Sequence, residues 1–196
     1  MDDNVDTNKL RNPALSPWMS KEEISFVESF INKDSYMLEY GCGGSTLHFP
    51  DYVKGYCSIE SDEEWFKKIK EHPDNNAAMV LIPPKAHEDV IRVAEKQERD
   101  SPDYSWDNLQ NSIFYKIFED YTEAHRAFVV DRFDAILIDG RARQHCARAI
   151  YDVIDKDAVV FIHDFFPRKT YHLVLEKYKM IGQVLSGQSI VALQKI

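Results

Sequence analysis

Apolar positions along the chain follow two alternating rhythms. Short continuous runs occupy residues 36–40 (YMLEY), 55–60 (GYCSIE), 77–82 (AAMVLI), 133–139 (FDAILID) and 158–162 (AVVFI), each closing on or just before a glycine, a proline or a charged residue. Runs of this length and abrupt ending predict strands. Between them apolar residues recur three and four apart, the spacing of one helix face. Ile24, Val27 and Ile31 follow a Ser20/Glu23 capping box. The segment SDEEWFKKIKEH begins at Ser61 as N-cap, with acids in its first turn and lysines later. Further helices are predicted at about 88–98, around Ile113, Ile117 and Tyr121, around Cys146, Ala149, Ile150 and Val153, and after Pro167 through Tyr171, Val174, Leu175 and Tyr178. Two last runs, MIGQVL and SIVALQKI, flank Ser186-Gly187 and predict a hairpin.

This order predicts an α/β fold with a doubly wound, mostly parallel seven-stranded sheet, an antiparallel C-terminal strand and helices on both faces. Residues 1–17, polar and punctuated by prolines, read as a flexible lead-in, and 18–196 as one domain. The stretch at about 85–130 is too long for a simple crossover, so it predicts a helical insertion on the substrate side.

Composition narrows the function classes. Of 196 residues 44% are hydrophobic, enough for a core, and 33 acids against 24 Lys and Arg give a net charge of −9. No basic cluster suits a nucleic-acid backbone. No apolar stretch approaches the roughly 20 residues that span a bilayer, and the opening MDDNVDTNKLRNP has no secretory core, so a cytoplasmic protein is expected. Cys42, Cys57 and Cys146 form no C-x-x-C pair and read as buried free thiols.

The first constellation is Glu39-Tyr40-Gly41-Cys42-Gly43-Gly44-Ser45-Thr46. Glycines after a first strand let backbone approach a ligand, and the following helix start and hydroxyls bind acidic groups. An acid at the strand end repels a pyrophosphate but attracts an ammonium or a sulfonium. The dinucleotide fingerprint fails at Thr46 and the nucleophile elbow at Leu47. Glu60, closing the second strand, stands where ribose hydroxyls lie in a doubly wound fold.

LEYGCGGSTL, the acid of SIES, FDAILIDG and VVFIHDF, in this order and followed by the hairpin, resemble the successive motifs of class I S-adenosylmethionine-dependent methyltransferases, a Rossmann-like family. The resemblance runs from Tyr36 to Ile196, without a counterpart for residues 85–130. It implies that Glu39, Gly41, Gly43, Ser45 and Thr46 wrap the methionine part of the cofactor and that Glu60 binds its ribose. Ile82-Pro83-Pro84-Lys85 stands where the family often has an acid at the adenine.

Asp139-Gly140-Arg141-Ala142-Arg143 and His163-Asp164, at the ends of two central strands, converge on one crevice. Asp139 and Asp164 can hold Mg2+ or another divalent cation, as the resemblance to metal-dependent O-methyltransferases of the catechol type implies; alternatively His163 acts as a general base. Arg141 and Arg168 suit an acidic acceptor, with Arg143 among the same group of arginines, although all three also read as surface charges. Trp18, Tyr104 and Trp106 read as candidate walls of an acceptor pocket, and core packing fits them equally.

The function expected is transfer of a methyl group to oxygen, less readily nitrogen, of a small-molecule or sugar-like acceptor. A non-catalytic cofactor- or partner-binding module and an NAD-dependent oxidoreductase are the alternatives.

Overall fold

The computed structural model describes residues 16–101 and 103–196, so the lead-in expected at 1–17 lies outside the described residues except for Ser16 and Pro17. Seven strands form one sheet: β1 (Tyr36–Tyr40), β2 (Gly55–Glu60), β3 (Ala78–Leu81), β4 (Ala135–Ile138), β5 (Val159–His163), β6 (Tyr178–Val184) and β7 (Ile190–Lys195). Their order is β3-β2-β1-β4-β5-β7-β6. Neighbours pair in parallel from β3 to β5, and β7 runs antiparallel to both β5 and β6. The chain leaves the β3 edge and returns to place β4 beside β1. That reversal creates a crevice at the carboxyl ends of β1 and β4.

Among the described residues six α-helices accompany the sheet: α1 (Lys21–Glu28), α2 (Gly44–His48), α3 (Glu63–Lys70), α4 (Glu88–Arg99), α5 (Ile113–Glu123) and α6 (Arg143–Tyr151). Strand side chains alternate between faces and build a separate apolar layer on each. Leu38, Tyr40, Ile136, Ile138, Val160 and Ile162 face α4, α5 and α6. Met37, Ala135, Leu137, Val159 and Phe161 face the side of α1, where Phe26 and Phe30 meet Phe161 edge to face. Glu39 lies between Leu38 and Tyr40 in sequence and therefore shares this second side with Met37.

Three expectations are corrected. Asp62, not Ser61, caps α3, its carboxylate accepting from Trp65 N at 2.7 Å. The segment after Pro167 is a 3-10 helix (Lys169–Glu176), and Tyr178 belongs to β6, fully buried with its hydroxyl donating to Ala147 O at 2.8 Å. Trp106 opens a 3-10 helix (Trp106–Asn111) and is core, with Tyr151 and Tyr178 packed on its ring. Of the two roles expected for it, core packing is the one it takes. The insertion at 85–130 is built on α4 and α5, which pack against each other and, through α5, against α6.

Candidate functional site

The site begins with two turns packed backbone to backbone. Gly41 has φ +94°, and a Cβ there would lie 2.5 Å from Gly140 Cα; a Cβ on Gly140 would lie 2.3 Å from the Tyr121 hydroxyl. Only glycine fits either place. A side chain on Gly44 would strike the Ser16 carbonyl oxygen at 2.1 Å, so the chain before α1 lies directly across the turn.

Glu39 holds this turn from below. Its carboxylate accepts hydrogen bonds from Ser45 Oγ, from Thr46 Oγ1 at 2.5 Å and from Ser58 Oγ at 2.9 Å, and it is wholly buried. Thr46 Oγ1 in turn accepts from Gly43 N at 2.9 Å. Burial pushes the Glu39 carboxyl up to about 7; the three hydroxyls act the other way, and the charge of Asp139 adds to the rise. Glu39 and Thr46 are thus foundations of the turn, and neither reaches the crevice, contrary to the direct cofactor contact expected of them.

Glu60 does face the crevice. Its Oε1 accepts from Ser61 N at 2.5 Å and Asp62 N at 2.8 Å, and its Oε2 from Cys42 N at 2.8 Å, which ties the end of β2 to both the glycine turn and α3. Oε2 accepts one backbone donor and has capacity for a ligand hydroxyl. The Trp65 indole N–H donates to Cys42 O, and the Lys68 ammonium lies 4.4 Å from the Trp65 ring centre.

Across the crevice, the ends of β4 and β5 carry a cluster of charges centred on Arg143. This guanidinium is only 8% exposed; it donates from Nε to Gly140 O at 3.0 Å and from Nη1 to His163 O. It pairs with Asp139 Oδ1 and with Asp164 Oδ2, both at 3.2 Å. His163 Nδ1 is 2.9 Å from Asp139 Oδ1, while its Nε2 lies 3.6 Å from Glu23 Oε1. Burial works to lower the His163 pKa, but the hydrogen bond and charge of Asp139 and the charge of Asp164 outweigh it, even against Arg143, and the net direction is up. Nδ1 is thus held by the Asp139 carboxylate, while Nε2 faces that of Glu23 across 3.6 Å. The ring is buried and its Nδ1 is engaged by Asp139, so of the two alternatives expected here a general base at His163 would act beside a carboxylate that already holds it. Asp139 and Asp164, about one-fifth exposed, are the groups that look outward.

Two cavities share Glu60, Asp139, Gly140 and Arg143. The first, about 610 Å3, runs along Gly41, Gly43 and Ser45 to His163, Asp164 and Trp18, whose indole is 85% exposed. The second, about 440 Å3, continues past Ser61, Asp62 and Pro84 to Phe118, Arg141 and Arg168. Arg141 is paired there with Glu88 at 3.4 Å, and Arg168 lies 5.8 Å from the Tyr171 ring centre. Arg168 also borders a third cavity of about 600 Å3, which Tyr104 lines while its hydroxyl donates to Thr170 O at 3.0 Å.

No family model matches the chain and no curated protein matches its sequence. Solved structures do match. A methyltransferase-like protein of Silicibacter pomeroyi is 22% identical with a TM-score of 0.63, over 90% of this chain and 86% of that one. A Streptococcus mutans protein in complex with SAH is 10% identical with a TM-score of 0.52, over 91% and 99%. An rRNA methylase of Streptococcus thermophilus is 12% identical with a TM-score of 0.51, over 89% and 95%. The fold is that of the class I methyltransferases.

In a class I methyltransferase fold the glycine turn after β1, the acid closing β2 and the end of β4 border one crevice, and this chain places Gly41, Gly43, Glu60 and Asp139 there. Sequence reasoning did not find the role of two members of the site. Arg143, grouped with the arginines for an acidic acceptor or a surface charge, is at its centre and pairs with Asp139 and Asp164. Glu23 was accounted for by its capping box alone, which it does form: Oε2 accepts from Ser20 N at 2.7 Å, while Oε1 faces His163. Among the described residues no helix is long and apolar enough to cross a membrane.

Proposed function

We propose that this chain is a cytoplasmic S-adenosylmethionine-dependent methyltransferase that methylates an oxygen of a small-molecule acceptor. The observation that carries the reading is the cavity bounded by Gly41, Gly43, Ser45, Glu60 and Asp139 on a methyltransferase fold. The residues fit the cofactor. The glycine turn leaves room for close approach, Glu60 Oε2 has capacity for a ribose hydroxyl, and acids around the cavity suit a sulfonium.

When bound, the cofactor supplies a methyl carbon that bonds to the acceptor oxygen while the carbon–sulfur bond breaks and its electron pair stays on sulfur. The acceptor oxygen must then give up its proton. Asp139 is placed to take it, because its carboxylate faces both cavities. His163 and Arg143 fix the carboxylate's orientation from behind, at 2.9 and 3.2 Å. The remaining contribution is positioning and exclusion of water. Arg168, where the second and third cavities meet, is placed to receive an acidic group on the acceptor.

Calorimetry with S-adenosylmethionine and S-adenosylhomocysteine tests the reading. Wild type binds both, and Glu60→Ala weakens both by about 1.5–3 kcal/mol, the usual loss for hydrogen bonds to a charged group. Absence of binding to wild type refutes the function, and equal affinity in the variant removes Glu60 from the site.

A further inference from the structure

Asp139, His163 and Asp164 bring ligand-type atoms within 4.8 Å of one another, a donor set that suits a divalent cation by composition. Arg143 changes what this set can do. Its Nη1 is on Asp139 Oδ1 and its Nη2 on Asp164 Oδ2, each at 3.2 Å, so one guanidinium already bridges the two acids that would be the ligands. Its Nε and Nη1 are also anchored on Gly140 O and His163 O, and the plane lies 5.7 Å from the Tyr171 ring centre. His163 Nδ1, the third ligand atom, is itself 2.9 Å from Asp139 Oδ1. A guanidinium cannot shed its charge at any working pH, and its planar fork matches two carboxylates better than an ammonium would. A divalent ion added here would meet a fixed like charge a few ångströms away and carboxylates already engaged.

We propose that Arg143 is a built-in cation that takes the place of a divalent ion between Asp139 and Asp164, and that the site works without metal. Resting on the methyl-transfer reading, this also defines the acceptor class. A bound metal would gather two neighbouring acceptor oxygens at once. Of the two outward carboxylates Asp139 borders both cavities and Asp164 the first, so Asp139 takes the one proton and, with no metal to gather two oxygens, the acceptor presents a single hydroxyl instead of a chelating pair. The proton passes from that hydroxyl to Asp139 as the oxygen–methyl bond forms and the methyl–sulfur bond breaks.

Titration of the full chain with Mn2+, followed by the electron paramagnetic resonance signal of the free ion, separates the possibilities. Wild type leaves Mn2+ free. Arg143→Gln, confirmed as folded by its thermal melt, binds one Mn2+ about tenfold or more tightly than wild type, because a neighbouring like charge is gone. The double variant Arg143→Gln, Asp139→Asn loses that binding. Stoichiometric Mn2+ binding to wild type that disappears in Asp164→Asn overturns the proposal. So does a folded Arg143→Gln that gains no affinity. If Arg143→Gln does not fold, the wild-type titration with its Asp164→Asn control decides alone. Because S-adenosylmethionine is absent from this measurement, its result is independent of whether the chain binds that cofactor.

Discussion

Glu39→Gln is the most informative single replacement. The wild-type carboxyl has no contact with water, accepts three hydroxyl hydrogen bonds and is pushed up to about 7 by burial. An unfolded Glu titrates near 4.3, and each pH unit of difference is worth roughly 1.4 kcal/mol, so the gap corresponds to about 3–4 kcal/mol. The sign follows from proton counting. Between about pH 4.3 and 7 the native state holds a proton that the unfolded chain has lost, so stability falls as pH rises through this window and levels off above it. Glutamine keeps the shape and has no proton to lose, and Ser45, Thr46 and Ser58 can turn their hydroxyls to serve its amide. Urea denaturation of both proteins at pH 5, 6, 7 and 8 measures the difference. The variant is expected to gain about 2.5 kcal/mol relative to wild type between pH 5 and 8, a large share of a typical domain's 5–15 kcal/mol. A difference that stays constant within about 1 kcal/mol over this range would refute the argument that Glu39 is a desolvated carboxyl. Cofactor affinity gives a second reading on the same variant: it is expected to change little, because Glu39 does not border the crevice.

Other outcomes follow from the same geometry. Gly140→Ala places a methyl group 2.3 Å from the Tyr121 hydroxyl and 2.9 Å from Gly41 Cα, and is expected to cost about 1–3 kcal/mol in thermal or urea unfolding. An alanine as stable as wild type would mean the two turns are not locked together. The raised pKa of His163 favours the native state fully below its unfolded value near 6.5, and the benefit is lost as pH rises through the folded value. Wild type should therefore lose stability relative to His163→Asn as pH increases above about 6.5; parallel profiles would place the imidazole outside the charge cluster.

Much of the architecture was legible because buried parallel strands carry near-continuous apolar runs, as AILI in β4 and VVFIH in β5 do. The crevice was legible too, since a doubly wound order puts the glycine turn, Glu60, Asp139 and Asp164 at neighbouring strand ends. Depth was not. Glu39 was read as a ligand contact because it precedes the glycines, although it alternates with Leu38 and Tyr40 and so shares a side with Met37. Arg143 stands four residues after Asp139, which is also the spacing of an ordinary surface ion pair on a helix. Only the placement of β5 brings Asp164 and the His163 carbonyl to its other end. Tyr178 was misplaced for a related reason: its packing partner, Tyr151, lies on α6, far from it in sequence.

Glu23 joins parts of the molecule that are far apart along the chain. Its carboxylate fastens the first amide of a peripheral helix at Ser20, lies against the Gly187 turn, where a Cβ would come within 2.6 Å of it, and looks onto the imidazole behind the reacting carboxylate. One carboxylate therefore lies between the imidazole and a peptide N–H near the surface. The hydrogen–deuterium exchange rate at Ser20 is expected to follow the charge of His163, and a rate identical in wild type and His163→Asn across the pH range would show that the two are not coupled.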